Sequence, residues 1–482
     1  MWVEIGNLYT RVLRATDDEK AWLREYLMWS DTTWVRGRPR AVKSSLFSLV
    51  EEHFPTGFVA LIRQAAKDKG FKFEIGDLRV APCVPDPAAD LAWLRPYQLE
   101  AVQAVAARTR GVIKVPTGGG KTEIAVGCAK LLPCLWLFLV HRSTLLDQAA
   151  ERYEARTGRL AGRIGDGLWE IPPGCTFVVA TFQTLAKAKA KRDPRFLELA
   201  TKVQGLLADE AHVLPAESFY RVVEALPNAY YRVGLSGTPL SRSDQRSVLT
   251  IASTGRIIYT IRPDVLIDAG VLSRPKIRMV TVAQKSTCAT WQGVYGECVV
   301  RGAARNRAIV KAATESTKPC LVFVKEISHG RKLEAMLQKA GVKSEFVWGS
   351  DSTDARKGAV KRLVRGDLEV LICSVIFQEG IDIPELQSVV VGSGGRSIIA
   401  TLQRIGRGMR VAKGKTEFEV WDFNDKGCGC NEETRDLDPE NFHKGCQWIE
   451  KHTRIRRNAY TSEGYETVVL AGSSVQREFV LR

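Results

Sequence analysis

Short, almost purely apolar runs recur along the chain, each closed by a turn of glycines, acids or hydroxyls and most followed by a segment with helical periodicity. Val112 to Val115, Leu135 to Val140, Phe177 to Thr181, Gly205 to Ala208 and Val233 to Leu235 form one series. Cys320 to Val324, Glu345 to Trp348 and Val370 to Ser374 repeat the format further on. Strands buried on both faces read as continuous apolar runs, so the pattern predicts doubly wound parallel sheets with helices between the strands. Helices are expected over Glu123 to Leu132, from His141 to Gln148 onward, over Ile327 to Leu337 and over Ala355 to Arg365. The stretch from Val265 to Gly302 has no clear period.

Residues 1–80 differ. A strand region from Trp2 to Leu13 precedes expected helices at Asp17 to Trp29 and Gly57 to Lys69, which describes a small α+β module. Between them, Arg36-Gly37-Arg38-Pro39-Arg40, with Trp29 and Trp34 just before, is either a loop able to hold a nucleic-acid backbone or a solvated hairpin. Three prolines between Ala81 and Pro87 mark a linker. The expected organisation is a small α+β N-terminal domain at 1–88, with possible DNA binding, two parallel-sheet domains at 89–263 and 264–428, and a C-terminal extension at 429–482 packing on the second.

Composition sharpens this picture. The 482 residues are 45% hydrophobic, enough for several buried cores. The longest apolar run, Leu131 to Val140, contains a proline and falls short of the roughly 20 residues a bilayer demands. No basic start followed by an apolar core opens the chain, so no export and no membrane partner are expected, and the expected location is cytoplasmic. Eleven cysteines, several inside apolar runs, suit reduced core thiols better than a disulfide framework. The formal charge of +16 lies wholly in the middle: residues 90–428 hold 49 basic against 33 acidic side chains, while 1–89 and 429–482 are near neutral. Such a field suits a polyanion and counterion release.

The densest chemistry follows the first apolar run. In Pro116-Thr117-Gly118-Gly119-Gly120-Lys121-Thr122, consecutive glycines let successive N–H groups turn toward one anion. Lys121 can reach β- and γ-phosphates, Thr122 can ligate Mg²⁺, and the following helix adds its dipole. The generic phosphate loop has a glycine where this chain has Val115. Upstream, Trp93-Leu94-Arg95-Pro96-Tyr97-Gln98 opens an amphipathic helix. Gln98 can pair both edges of an adenine amidine, with Arg95 a further candidate contact to the nucleotide.

Asp209-Glu210-Ala211-His212 follows another apolar run. An Asp can hold Mg²⁺ while a neighbouring Glu orients or deprotonates the attacking water, so Thr122 and Asp209 are the candidate metal ligands. His212 has no partner at zinc spacing and is expected to couple the nucleotide site to motion, together with Ser236, Thr238 and Gln403. Polar groups at the carboxyl ends of parallel strands face the ligand crevice, which makes Arg142, Thr181, Gln183, Lys325 and Ser374 candidate contacts to a nucleic-acid backbone. No second phosphate loop occurs, so the second sheet is expected to act on a nucleotide held by the first. Arg407 and Arg410, three apart on one helical face, can both point at a γ-phosphate.

Pro-Thr-Gly-Gly-Gly-Lys-Thr, Asp-Glu-Ala-His, Ser-Gly-Thr-Pro, Glu-Gly-Ile-Asp-Ile-Pro and Gln-Arg-Ile-Gly-Arg-Gly-Met-Arg, in this order over residues 93–425, resemble the motifs of superfamily two helicases. The compact length and the small N-terminal module, with Phe54-Pro55-Thr56-Gly57-Phe58 near its end, resemble the phage UvsW-type and XPB-like branch. The resemblance implies two tandem RecA-like domains closing on ATP and Mg²⁺, with Lys121, Asp209, Glu210, Arg407 and Arg410 catalytic. It adds Gly380 and Asp382 as links between nucleotide and strand. It also implies a monomeric ATP-dependent DNA helicase that remodels branched DNA by unwinding, branch migration, fork regression and annealing. An RNA helicase with the same motor, or an ATP-gated annealing protein that never translocates, are the alternatives. In the tail, Cys428, Cys430, His443, Cys446 and His452 are poorly spaced for zinc, and Arg454, Arg456 and Arg457 either touch DNA or cap the second domain.

Overall fold

The computed structural model describes the chain apart from residues 36–37, 239–246, 375–382, 398–401, 403–404, 407, 413, 429–443, 472–473 and 481–482. For residues 31–35, 38–41, 144, 353, 444 and 474–480 it describes the backbone alone. The chain divides into two compact units, one of Met1–Pro116 with Gly120–Ile261, the other of Thr117–Gly119 with Arg262–Arg482.

The first unit begins with strands β1 (Trp2–Ile5) and β2 (Tyr9–Arg14), helix α1 (Asp17–Tyr26), the antiparallel hairpin β3 (Met28–Val35) and β4 (Arg38–Ser45), then β5 (His53–Pro55), helix α2 (Val59–Asp68) and β6 (Glu74–Asp77). The order β5-β2-β1-β6 forms one four-stranded sheet. The expected helix to Trp29 ends at Tyr26, because Met28 and Trp29 enter β3, where bulky side chains fit a pleated surface. Of the basic stretch at 36–40, Arg38 to Arg40 lie in β4 and so in a hairpin strand, while 36–37 are outside the described residues. Thr16 caps α1 with a reciprocal Glu19 bond.

The larger sheet of this unit holds β7 (Arg110–Lys114), β8 (Trp136–Val140), β9 (Gly162–Gly165), β10 (Leu168–Glu170), β11 (Phe177–Thr181), β12 (Gly205–Asp209), β13 (Tyr231–Ser236) and β14 (Ile257–Thr260), in the order β10-β9-β11-β8-β12-β13-β7-β14. All pairs are parallel except β9 with β10. Every residue of β8, β11 and β13 is buried, which is why they read as unbroken apolar runs. Helices α3 (Pro96–Arg108), α4 (Lys121–Leu131) and α5 (Ser143–Thr157) cover the sheet. The N-terminal module packs directly on this sheet's helices. Ala252 joins its core, and at Gly57 a side-chain carbon would lie 1.8 Å from the Ile251 carbonyl oxygen, so only glycine permits that approach.

The second unit carries β15 (Arg274–Ala283), β16 (Cys320–Val324), β17 (Ser344–Val347), β18 (Val370–Ser374), β19 (Ser388–Val390), β20 (Glu417–Lys426), β21 (Thr467–Ala471) and β22 (Ser474–Val480), in the order β17-β18-β16-β19-β20-β15-β21-β22. Only β22 runs antiparallel to its neighbour. The helix Lys444–Ser462 lies against β20 and sends Arg456 inward. That guanidinium is 1% exposed and bonds Asp422 at 2.9 Å, where the Tyr460 hydroxyl also donates, so Arg456 caps this unit and is not available to DNA. Arg305, fully buried, binds Asp425 at 3.0 Å and the Gly392 carbonyl at 2.6 Å. Among the described residues no helix is long and apolar enough to cross a membrane.

Candidate nucleotide site

Strand β7 ends at Lys114, and after six intervening residues α4 begins at Lys121. Gly118 and Gly120 adopt φ of +87° and +83°, the left-handed backbone that glycine takes without strain. The cap residue of α4 is Gly120, which has no side chain to bond the first N–H groups, and the helix dipole at this end favours an anion. Gln98, 3% exposed, sits against this turn. A side-chain carbon at Gly120 would fall 2.2 Å from its Nε2. The Gln98 Oε1 accepts from the Arg95 N–H at 3.0 Å, which closes the first turn of α3 and holds the amide in place.

The acid pair stands at the carboxyl end of β12. Glu210 has φ +49°, a strained conformation for a residue with a side chain, and Lys121 reaches across to it. The Lys121 ammonium bonds the Glu210 carboxylate and lies 3.8 Å from Asp209. His212 Nδ1 is 3.3 Å from the other Glu210 oxygen and 3.2 Å from the Ser236 hydroxyl, which in turn accepts from the Thr238 N–H at 3.2 Å. A continuous polar chain thus runs from Lys121 through Glu210, His212 and Ser236 to Thr238.

The two acids are tuned in opposite directions. Burial, reinforced by Glu210 and opposed by Lys121, raises the Asp209 pKa. Burial would also raise Glu210, but Lys121 and His212 outweigh it and hold that carboxyl well below the usual range. Asp209 Oδ1 is buried without a hydrogen-bond partner, an acceptor ready for a cation. Thr122, the second residue of α4, and Asp209 fit the ligand pair for Mg²⁺.

Among the candidate nucleic-acid contacts, Arg142 follows β8 and Gln183 follows β11, its neighbour, with Gln183 donating to the His141 carbonyl at 3.0 Å. Thr181 is placed differently from expectation. Its side chain is buried and its hydroxyl caps the next helix by pairing with Thr184 at 2.8 Å, so it shapes the turn rather than reaching a strand. In the second unit Val324 is in register with Ser374, which puts Lys325 and Ser374 at adjacent strand ends. Lys325 is exposed with its ammonium 5.1 Å from the Tyr295 ring, whereas Ser374 is buried. Arg410 is half-buried and its backbone bridges Leu272 of the same unit. Gly380, Asp382, Gln403 and Arg407 lie outside the described residues, as do Cys430 and His443, while the Cys428 and Cys446 sulfurs are 3.4 Å apart.

Two participants escaped sequence reasoning. His141 interacts electrostatically with Asp209 and Glu210, yet burial and Arg142 lower its pKa. Its position at a strand's carboxyl end was the available signal. Glu123 anchors Arg152 and Arg156, and Arg156 stacks 4.8 Å over Trp93, tying α4 to the segment that carries Gln98.

Two family models match: the res subunit of type III restriction enzymes over residues 92–241, and the helicase conserved C-terminal domain over 304–412. A putative DNA 3'-5' helicase Rad25 of Halobacterium salinarum is 32% identical over 330 residues, covering 66% of this chain and 52% of that protein. The ATP-dependent DNA helicase uvsW of Enterobacteria phage T4 is 25% identical over 394 residues, covering 77% and 76%. Among solved structures, a putative HsdR subunit fragment of a type I restriction enzyme from Vibrio vulnificus YJ016 matches with a TM-score of 0.53 at 19% identity, over 92% of this chain and 78% of that one. The chain spans 64% and 52% of the lengths of the first relatives it matches. The chain carries both domains of the superfamily two helicases, each built here on a RecA-like parallel sheet.

Proposed function

We propose that the protein is an ATP-driven DNA translocase that remodels branched DNA, acting as a monomer in recombination, repair or replication restart. The observation that carries this is the chain of contacts from Lys121 through Glu210 and His212 to Ser236. It ties a phosphate-binding lysine and an acid pair to a second motif on a neighbouring strand, as a machine that converts phosphate chemistry into movement requires.

Lys121 would hold the β- and γ-phosphates against the α4 N-terminus, and the Gly118 to Gly120 backbone would wrap them. Glu210, kept ionised, would accept a hydrogen bond from the attacking water and orient it. Thr122 and Asp209 would hold Mg²⁺, which when bound neutralises charge on the phosphate oxygens. Gln98, beside Gly120, would select the base, and Arg407 and Arg410 would stabilise charge on the transferred phosphoryl group. Arg142, Gln183 and Lys325 would track the backbone of a bound strand, drawn by the basic excess of residues 90–428.

Strand displacement on a panel of forks and four-way junctions, with matched RNA duplexes alongside, tests this. ATP-dependent remodelling of branched DNA ahead of plain duplex and RNA is expected. Preference for RNA, or annealing with no displacement of streptavidin from a biotinylated strand, would contradict it.

A further inference from the structure

In the first unit a groove of about 970 Å³ lies between the N-terminal module and the large sheet. One wall is α2, from which Arg63 and Lys67, four apart on one helical face, line the groove. The other wall is the end of α3 with Arg108, the start of β7 with Arg110, and the turn before β14 with Arg256. No Asp or Glu lines it. Lys72 and Arg79 also border the groove but are paired with Glu74 and Asp77 at 2.6 and 2.7 Å. Among the described residues, Arg63, Lys67, Arg108, Arg110 and Arg256 form no ion pair.

Five unneutralised cations around one concavity repel one another, and a fold tolerates that cost where an external anion relieves it. Arg110 shows the strain most clearly. Its guanidinium bonds only the Asn7 and Thr254 carbonyls, both at 3.3 Å, one nitrogen is shielded without a partner, and burial together with Arg232 and Arg79 lowers its pKa. The groove is separate from the nucleotide site. Arg110 opens β7 and Lys114 closes it, so the two sites lie at opposite ends of the sheet, about 13 Å apart along the strand at ~3.3 Å per residue. Gly57, which lines the groove, is pressed on the Ile251 carbonyl and so holds the N-terminal module against the rest of the unit.

We propose that this groove is a second nucleic-acid site that holds the phosphodiester backbone of a duplex arm while the motor grips a strand elsewhere. The inference rests on the DNA-motor reading. Cations spread over two walls match a run of phosphates better than a single one, and exposed arginines suit bidentate phosphate contacts.

The test compares the full chain with the R63Q/K67Q/R256Q variant, whose three side chains are exposed and outside the nucleotide site. Binding to a forked DNA is measured across a salt series, and ATP turnover is measured with a short single strand. The expected variant keeps the wild-type melting temperature and single-strand-stimulated turnover within about twofold. Its fork affinity falls roughly tenfold or more near 0.15 M salt, and its slope of log affinity against log salt flattens by about 2–3, at ~0.9 per phosphate contact. R63K/R256K retains fork binding. Unchanged fork affinity and slope would overturn the proposal. So would an equal loss for the short strand, or a variant that loses only thermal protection by tripolyphosphate, which would assign the groove to a small polyanion. If no nucleic acid stimulates wild-type turnover, the motor reading fails, while the fork-binding comparison still decides the groove.

Discussion

The Lys121 ammonium is held by the Glu210 carboxylate, and His212 approaches that same carboxylate from its other oxygen at 3.3 Å. A triphosphate must compete with Glu210 for this lysine. Glu210→Gln therefore removes both a competitor for Lys121 and a negative charge near the phosphates, as well as the group that orients water. ATP binding is expected to tighten severalfold while kcat falls about 10²–10⁴-fold. Nucleotide titration with single-turnover kinetics checks both, and a raised KM with unchanged kcat would place Glu210 outside the chemistry.

Asp209 and Glu210 are adjacent in sequence but bear on stability with opposite signs. A carboxyl whose folded pKa is raised binds more protons when native, so between its unfolded value near 3.9 and its folded value, stability falls as pH rises. Glu210, with a lowered folded pKa, contributes stability that is present above an unfolded value near 4.3 and lost as pH falls through the folded one. Asp209→Asn is thus expected to raise the melting temperature at pH 7 and Glu210→Gln to lower it, although both slow turnover. Thermal melts of the three proteins at neutral pH decide the sign.

Gly120→Ala meets two obstacles at once, a φ of +83° and a contact at 2.2 Å with Gln98. A left-handed backbone costs an alanine about 1–2 kcal/mol, and the clash adds to it. Gln98→Ala in the same chain removes the clash and leaves the backbone cost. The double variant is expected to recover part of the stability lost by Gly120→Ala and none of its ATP affinity, as measured by melting and nucleotide titration.

Much of this was legible because the physics is local. β8, β11 and β13 announce themselves through burial on both faces, and the phosphate loop through glycines that only a left-handed turn needs. β15 was missed although its burial alternates. Arg274, Lys276 and Arg278 interrupt its apolar positions, and Arg278 is accommodated by stacking 5.0 Å over Trp421, more than a hundred residues away. A hairpin is one of two readings the sequence leaves open for the stretch around Arg38, but the start of β3 reads as part of α1 because Leu27 and Met28 continue that helix's apolar period. Thr181 stands at a strand end, where ligand contacts gather, and its capping role shows only once the Thr184 hydroxyl is seen beside it.

No local pattern reveals the buried ions of the second unit. Arg456 and Arg305 reach Asp422 and Asp425 over 34 and 120 residues of chain. Removing one partner of a buried pair strands the other, which costs about 3–5 kcal/mol. Arg456→Ala should unfold the second unit at markedly lower denaturant while Arg457→Ala, on the same helix but exposed, changes little. Denaturant titration followed by tryptophan fluorescence distinguishes them.

The most direct measurement is steady-state ATP turnover of the wild type and of Lys121→Ala, each with and without forked DNA. The expected result is DNA-stimulated turnover in the wild type and none above background in the variant, which still binds the fork. Turnover that DNA leaves unchanged, or that survives the loss of Lys121, would contradict an ATP-driven motor at this site.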